Sequence, residues 1–253
     1  MITENIKKNI PSFVKKFIKY IYFYIFYIKD FLMFKKKSAG KSRFKISWKD
    51  RYPQLFDKTS NTSFDGHYTY HPAWAARILA KTKPLKHIDI SSILSFSTML
   101  SAFIPVEFYD YRPANVKLSN LISRGANLTS LPFKDGSIES LSCMHTIEHI
   151  GLGRYGDPID PDGDIKAMKE LARVLAHNGN LLFVTPIGKP TIQFNAHRIY
   201  SYDQIINCFP NLILKEFSLI PDNALETGIV MNATKELSDS QIHACGCFWF
   251  IKK

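Results

Sequence analysis

Residues 145–164 read HTIEHIGLGRYGDPIDPDGD, a stretch that holds two histidines, a glutamate, an arginine, a tyrosine and four aspartates. His145, Glu148 and His149 follow the order H-x-x-E-H, the inverted zincin pattern, in which two imidazoles on one helix face hold a metal. That chemistry needs a long helix, and Gly151 and Gly153 interrupt one at once. The run DPIDPDGD alternates carboxylates with a glycine, as calcium loops do. A twelve-residue loop starting at Asp157 or Asp160 would need glutamate where Met168 or Leu171 stands. The expectation is therefore no metal in this stretch. What remains is acid–base and recognition chemistry. Imidazole titrates near neutral pH, so His145, His149 and, downstream, His197 are candidate general bases. Glu148 is suited to orient a histidine or contact a ligand. Arg154 and Arg198 can grip carboxylate or phosphate bidentately, and Tyr155 and Asp157 would line a polar substrate site. Asp162 or Asp164 is expected to cap the following helix.

The elements that must position these groups are legible from hydrophobic patterning. KHIDI (86–90), VEFYDY (106–111), SIESLSCM (137–144), NLLFVTP (180–186), LILKEFSLI (212–220) and CGCFWFIKK (245–253) read as strands. Residues 97–103, 164–175 and 201–208 read as helices. In the second of these Ile165, Met168, Leu171, Ala172 and Leu175 form one apolar stripe, and Gly179 is placed for a left-handed cap. FDGHYTYHPAWAA (64–76) reads as a helix packing on the sheet or as a lid carrying His67, Tyr68, His71 and Trp74. Strands alternating with helices imply an α/β fold with a mostly parallel sheet and a ligand beyond the carboxyl ends of its strands.

These segments, taken together, resemble the class I S-adenosylmethionine-dependent methyltransferases over about residues 67–220. HIDIS matches the first strand, Asp110 the end of the second, and ANLTSLPFKDGSIESL and AMKELARVLAHNGNLLFVTP the later signatures. The stretch 145–164 together with PIGKPTIQFNAHRIYS resembles a narrower methyltransferase-like family, first catalogued as a domain of unknown function, with several members near surface-polysaccharide genes. The resemblance implies a three-layer Rossmann-like fold with a seven-stranded sheet, an antiparallel C-terminal strand in an edge hairpin, and S-adenosyl-L-methionine as cofactor. It places Asp89, Ser91 and Ser92 at the cofactor loop, Asp110 on the ribose hydroxyls, Asn127 and Leu128 at the adenine, and His145 facing cofactor and substrate. The loop DISSILSFS departs from the pattern in having no glycine, and Asn127 stands where an acid is usual.

The chain has 253 residues, 45% of them hydrophobic, enough for one sizeable core. The four cysteines form no disulfide framework; Cys245-Gly-Cys247 is too tightly spaced for a usual zinc knuckle, and reduced, buried thiols are expected. Residues 1–51 carry 14 Lys/Arg against 3 Asp/Glu, so the entire formal charge of +11 sits there and the remainder balances. Residues 13–34 are aromatic and flanked by lysines, yet their uninterrupted apolar run of nine falls short of the ~20 a transmembrane helix needs. Residues 1–45 are accordingly read as a membrane-surface or packing segment and 46–253 as the methyltransferase-like domain. The leading functional reading is O-methylation of a saccharide or lipid-linked glycan, with a sugar nucleotide or glycan as partner. A cytoplasmic location is expected, with peripheral attachment to the inner membrane face left open. A non-catalytic scaffold of the same fold is the alternative. An RNA methyltransferase is disfavoured because the body is neutral, and nothing sets the oligomeric state.

Overall fold

The computed structural model describes residues 11–40 and 43–253. The chain divides into two units, Met1–Ser63 and Phe64–Lys253. In the first, α1 (Ser12–Lys37) is a single helix with no buried side chain and Lys35, Lys36 and Lys37 in its last turn. Phe13, Phe17, Ile21, Ile25 and Phe34 are exposed on it. Among the described residues no helix is long and apolar enough to cross a membrane.

The second unit opens with α2 (Gly66–Thr82), whose first turn is capped by the Asp65 carboxylate accepting from the Tyr68 N–H. There follow β1 (His87–Ile90), α3 (Leu94–Leu100), β2 (Val106–Asp110), β3 (Leu121–Gly125) and β4 (Ile138–Met144). Next come α4 (Gly163–Val174), β5 (Leu175–Ile187), the small strands β6 (Thr191–Gln193) and β7 (His197–Ile199), and α5 (Tyr202–Cys208). The unit ends with β8 (Leu212–Ile220), α6 (Ala224–Thr227), α7 (Lys235–Asp239) and β9 (Ala244–Lys252). The main sheet runs in the order β3-β2-β1-β4-β5-β9-β8. Strands β3, β2, β1, β4 and β5 pair in parallel, and β9 lies antiparallel between β5 and β8. The C-terminal strand is thus antiparallel as expected, but inside its hairpin partner β8, which forms the edge.

Parallel strands bury both faces, and β5 shows it residue by residue. Leu181 and Phe183 join the core under α4 and α5, with Met168, Leu171, Ile205 and Phe209. Leu182 and Val184 join the opposite core, with Trp74, Ala75, Ile78 and Leu79 of α2 and Phe96 and Leu100 of α3. The segment 64–76 therefore falls largely on the packing helix Gly66–Thr82, whose N-terminal turn also reaches the site described below.

Three expectations are corrected. The third helix begins at Leu94 rather than residue 97. Asn178, not Gly179, takes the left-handed conformation after α4, at φ 60°. Gly179 is instead required by close packing, since a Cβ there would press on the carbonyls of Ala176 and Ile138. Finally, Asp162 is the N-cap of α4 by position but makes no side-chain cap bond. Asp164 is buried, accepts from the Tyr200 hydroxyl at 2.8 Å, and pairs with Arg198 at 3.6 Å.

Candidate active site at the carboxyl ends of β1, β2 and β4

The strand order reverses between β1 and β4, and a crevice opens beyond their carboxyl ends, where open α/β sheets bind ligands. Two adjoining hollows of about 180 and 170 Å³ share Ser91, Tyr111, Ile150 and Tyr155 as walls. One is floored by Asn127 and Leu128; the other is lined by Asp110, Arg112, His145 and His149.

Ser91 makes the turn of the glycine-free loop. It adopts φ 53°, the left-handed conformation that glycine takes at no cost. Its N–H donates to the Tyr109 carbonyl at 2.7 Å and its hydroxyl to the same oxygen at 3.2 Å. Its own carbonyl accepts from the Thr146 hydroxyl at 3.0 Å, tying the exits of β1 and β4 together. Asp110 accepts from the Arg112 N–H through Oδ1 at 2.7 Å, and its Oδ2 has no partner among the described residues. Asn127 lines the hollow and has its Oδ1 engaged by the Thr129 N–H and hydroxyl. Ser92 and Asp89 lie beneath this floor. Ser92 is buried and accepts from the Met144 N–H. Asp89 is fully buried, accepts from the hydroxyls of Ser97 and Ser142, and is pushed up to about 6 by burial.

At the exit of β4, His145 is also left-handed, at φ 55°. The short 3₁₀ turn Ile147–His149 follows and brings Glu148 back beneath it. His145 Nδ1 lies 2.8 Å from Glu148 Oε1, and His149 Nε2 lies 3.9 Å from the same oxygen. Burial raises Glu148 to about 7 and, with the His243 charge, lowers His145 to about 4. The two histidines then differ. His149 Nδ1 donates to the Ala196 carbonyl at 2.6 Å, so in its neutral form Nε2 carries the lone pair, and the ring faces the crevice. His145 Nε2 is sealed from solvent and has no partner among the described residues. Burial lowers the pKa of His149 and of His197. His197 lies beyond the crevice wall, stacked on His243 at 4.9 Å.

Of the expected substrate groups, Tyr155 and Arg154 stand at the rim. The guanidinium carbons of Arg112 and Arg154 lie 4.5 and 5.1 Å from the Tyr155 ring centre. Arg112 escaped the sequence reading, although its position two residues after Asp110 was the available signal. Asp157 lines the first hollow but is engaged in the loop, accepting from the N–H groups of Gly151 and Tyr155. Arg198 is not brought to the crevice. It is buried, donates to the carbonyls of Ile150 and Pro161, and lines a separate cleft beside Asp164.

Gly151 holds this wall in place. At φ 78° it receives the Asp160 N–H on its carbonyl, and a Cβ there would drive into the Asp160 backbone. Gly151→Ala is expected to cost about 3 kcal/mol through combined strain and overpacking. Urea denaturation would show it, and a variant as stable as wild type would refute the tight packing of this loop.

Comparison with known proteins agrees with the topology. Residues 133–220 match the model of a family described as Caenorhabditis protein of unknown function, DUF268. No curated protein matches the chain. Among solved structures, geranyl diphosphate methyltransferase in complex with S-adenosylmethionine is similar at TM-score 0.51 and 14% identity, over 72% of this chain and 85% of that one. N-methyltransferase NodS from Bradyrhizobium japonicum WM9, in complex with S-adenosyl-L-homocysteine, is similar at TM-score 0.50 and 11% identity, again over 72% and 85%. The chain thus has the three-layer, Rossmann-like fold of the class I S-adenosylmethionine-dependent methyltransferases.

Proposed function

We propose that the protein is an S-adenosylmethionine-dependent methyltransferase acting on a hydroxyl of an anionic saccharide or lipid-linked glycan. The observation that carries this reading is the crevice at the β1/β4 switch point, where the Asp110 carboxylate has an oxygen free beside the left-handed turn at Ser91. The residues present fit the cofactor. Asp110 Oδ2 can accept from ribose hydroxyls, the Asn127 amide and Leu128 border an adenine-sized hollow, and Ser91 supplies the close main chain that glycine usually supplies. When bound, the cofactor supplies a methyl group on a sulfonium centre.

The chain's own groups then do the rest. The hollow fixes the acceptor near in-line geometry. The His149 Nε2 lone pair takes the hydroxyl proton, and the ring is held for this by Nδ1–H on the Ala196 carbonyl. Arg112 and Arg154, set about Tyr155, supply positive charge for a carboxylate or phosphate on the acceptor. The exposed aromatic and basic residues of α1 suit attachment to an anionic membrane surface.

Calorimetric titration of the full chain with S-adenosylmethionine and S-adenosylhomocysteine tests the reading. Binding is expected, weakened about 10- to 100-fold by Asp110→Ala, the loss of one or two hydrogen bonds to a charged group. A well-folded wild type that binds neither compound would sink it and favour the non-catalytic scaffold.

A further inference from the structure

Histidines far apart in the sequence converge next to the crevice. His67 and His71 come from the first turns of α2, His145 from the exit of β4, and His243 from the residue before β9. His67 stacks on His145 at 5.5 Å and His71 meets it edge-on at 5.0 Å. Cys245, the second residue of β9, is buried against them. One ligand atom each from His67, His145 and Cys245 lies within 4.8 Å of the other two.

We propose that His67, His145 and Cys245 form a binding site for a single zinc ion. Two imidazoles and one thiol form a borderline-soft donor set that suits zinc and does not suit magnesium or calcium. Three protein ligands with a fourth position open is the pattern of zinc sites that bind water or substrate. A tetrahedral ion with bonds of ~2.0 Å to nitrogen and ~2.3 Å to sulfur needs donors roughly 3.3–3.6 Å apart. The three donor atoms, all within 4.8 Å of one another, stand near that spacing.

Two observations independent of the cluster's composition point to a ligand. First, the His145 side chain is 5% exposed and its Nε2 has no partner among the described residues. A buried imidazole nitrogen in this state is costly unless something ligates it. Second, the other nitrogen, Nδ1, is held 2.8 Å from Glu148 Oε1. A carboxylate on the far nitrogen is how proteins fix the tautomer and direction of a metal-binding histidine. This gives Glu148 a reason to be buried: it aims His145. The Glu148 side chain is 1% exposed, and the crevice-facing base, His149, does not need it for its own tautomer. His67 is half-buried, and beside it and the exposed His243 opens a cleft of about 570 Å³ that provides an entry path. On binding, the Cys245 thiol gives its proton to solvent and the thiolate bonds the ion. Cys247, also buried two residues on, is outside the set and serves as a control.

The test uses the purified full chain, stripped with chelator and titrated with Zn²⁺ and, separately, Co²⁺. One equivalent of zinc should bind and raise the melting temperature, and cobalt should give thiolate-to-metal charge-transfer absorption in the near ultraviolet. Cys247→Ser should keep both. Cys245→Ser should abolish the charge-transfer band, and His67→Ala, altering a half-buried residue, should weaken zinc at least tenfold while the circular dichroism stays native. Folded wild type that takes up no zinc overturns the proposal. So does zinc binding that survives both His67→Ala and Cys245→Ser unchanged. Neither result depends on whether the cofactor binds.

Discussion

Replacing His149 with asparagine is expected to lower methyl transfer about 10²- to 10⁴-fold, the usual contribution of a positioned general base. Asparagine can still donate to the Ala196 carbonyl, as His149 Nδ1 does at 2.6 Å, but carries no basic lone pair in place of Nε2. Cofactor affinity, read by calorimetry, should stay within a few-fold of wild type. The assay would follow S-adenosylhomocysteine release with uronic-acid and phosphosugar acceptors as probes. The pH profile gives a second readout. A base must be unprotonated, so activity rises with pH through its pKa. Burial holds His149 below the usual 6.5, an effect opposed by the Glu148 charge and reinforced by Arg154 and His145. The acid limb should therefore lie below pH 6.5 and be lost in the variant. Equal rates in the two proteins, or an acid limb unchanged by the substitution, would remove His149 from the chemistry.

The second large effect concerns stability. His87 is fully buried in β1, between the hydroxyls of Ser140 at 2.8 Å and Ser142 at 2.9 Å. Because Ser142 donates its proton to Asp89, it accepts from His87 Nε2–H. Burial lowers the His87 pKa to about 3, so the ring is neutral near pH 7 and Nδ1 is left to accept from Ser140. The unfolded chain binds a proton near 6.5 and the folded one does not until about 3. The unfolded state thus gains protons in that window, and stability present above 6.5 is lost as pH falls. The slope is about 1.4 kcal/mol per pH unit. Asp89, raised to about 6, acts in the opposite sense between its unfolded pKa and 6. His87→Asn keeps Asp89 and removes only the histidine's share. From pH 7 to 5 the wild type should lose about 2 kcal/mol more than the variant, by urea denaturation. Parallel pH dependences would show that His87 is charged or solvated in the folded protein.

The sequence by itself determined the layers of this protein, because alternation and helical periodicity are local properties. Met168 and Leu171 of α4 are fully buried, as their stripe requires, and β8 spans the predicted residues. It did not reveal β3, where Leu121 is buried but its neighbours are exposed or half-buried, so no apolar run announces the strand. Nor did it reveal β6, whose residues are all exposed. The direction of charged side chains was decided only by the tertiary structure. Asp89 and Asp110 both stand on or near strand ends, yet one points into the core and is satisfied by serine hydroxyls while the other opens on the crevice. Arg198 looks like a ligand-binding group in the sequence and is instead engaged, beside Asp164, in holding a loop. The positive φ of Ser91 is a main-chain state that a serine does not announce. His67, His145 and Cys245 lie so far apart along the chain that no spacing could link them. The helix start, the central strand exit and the last strand meet only when the sheet is assembled, and a cluster built by long-range packing leaves no local pattern to read.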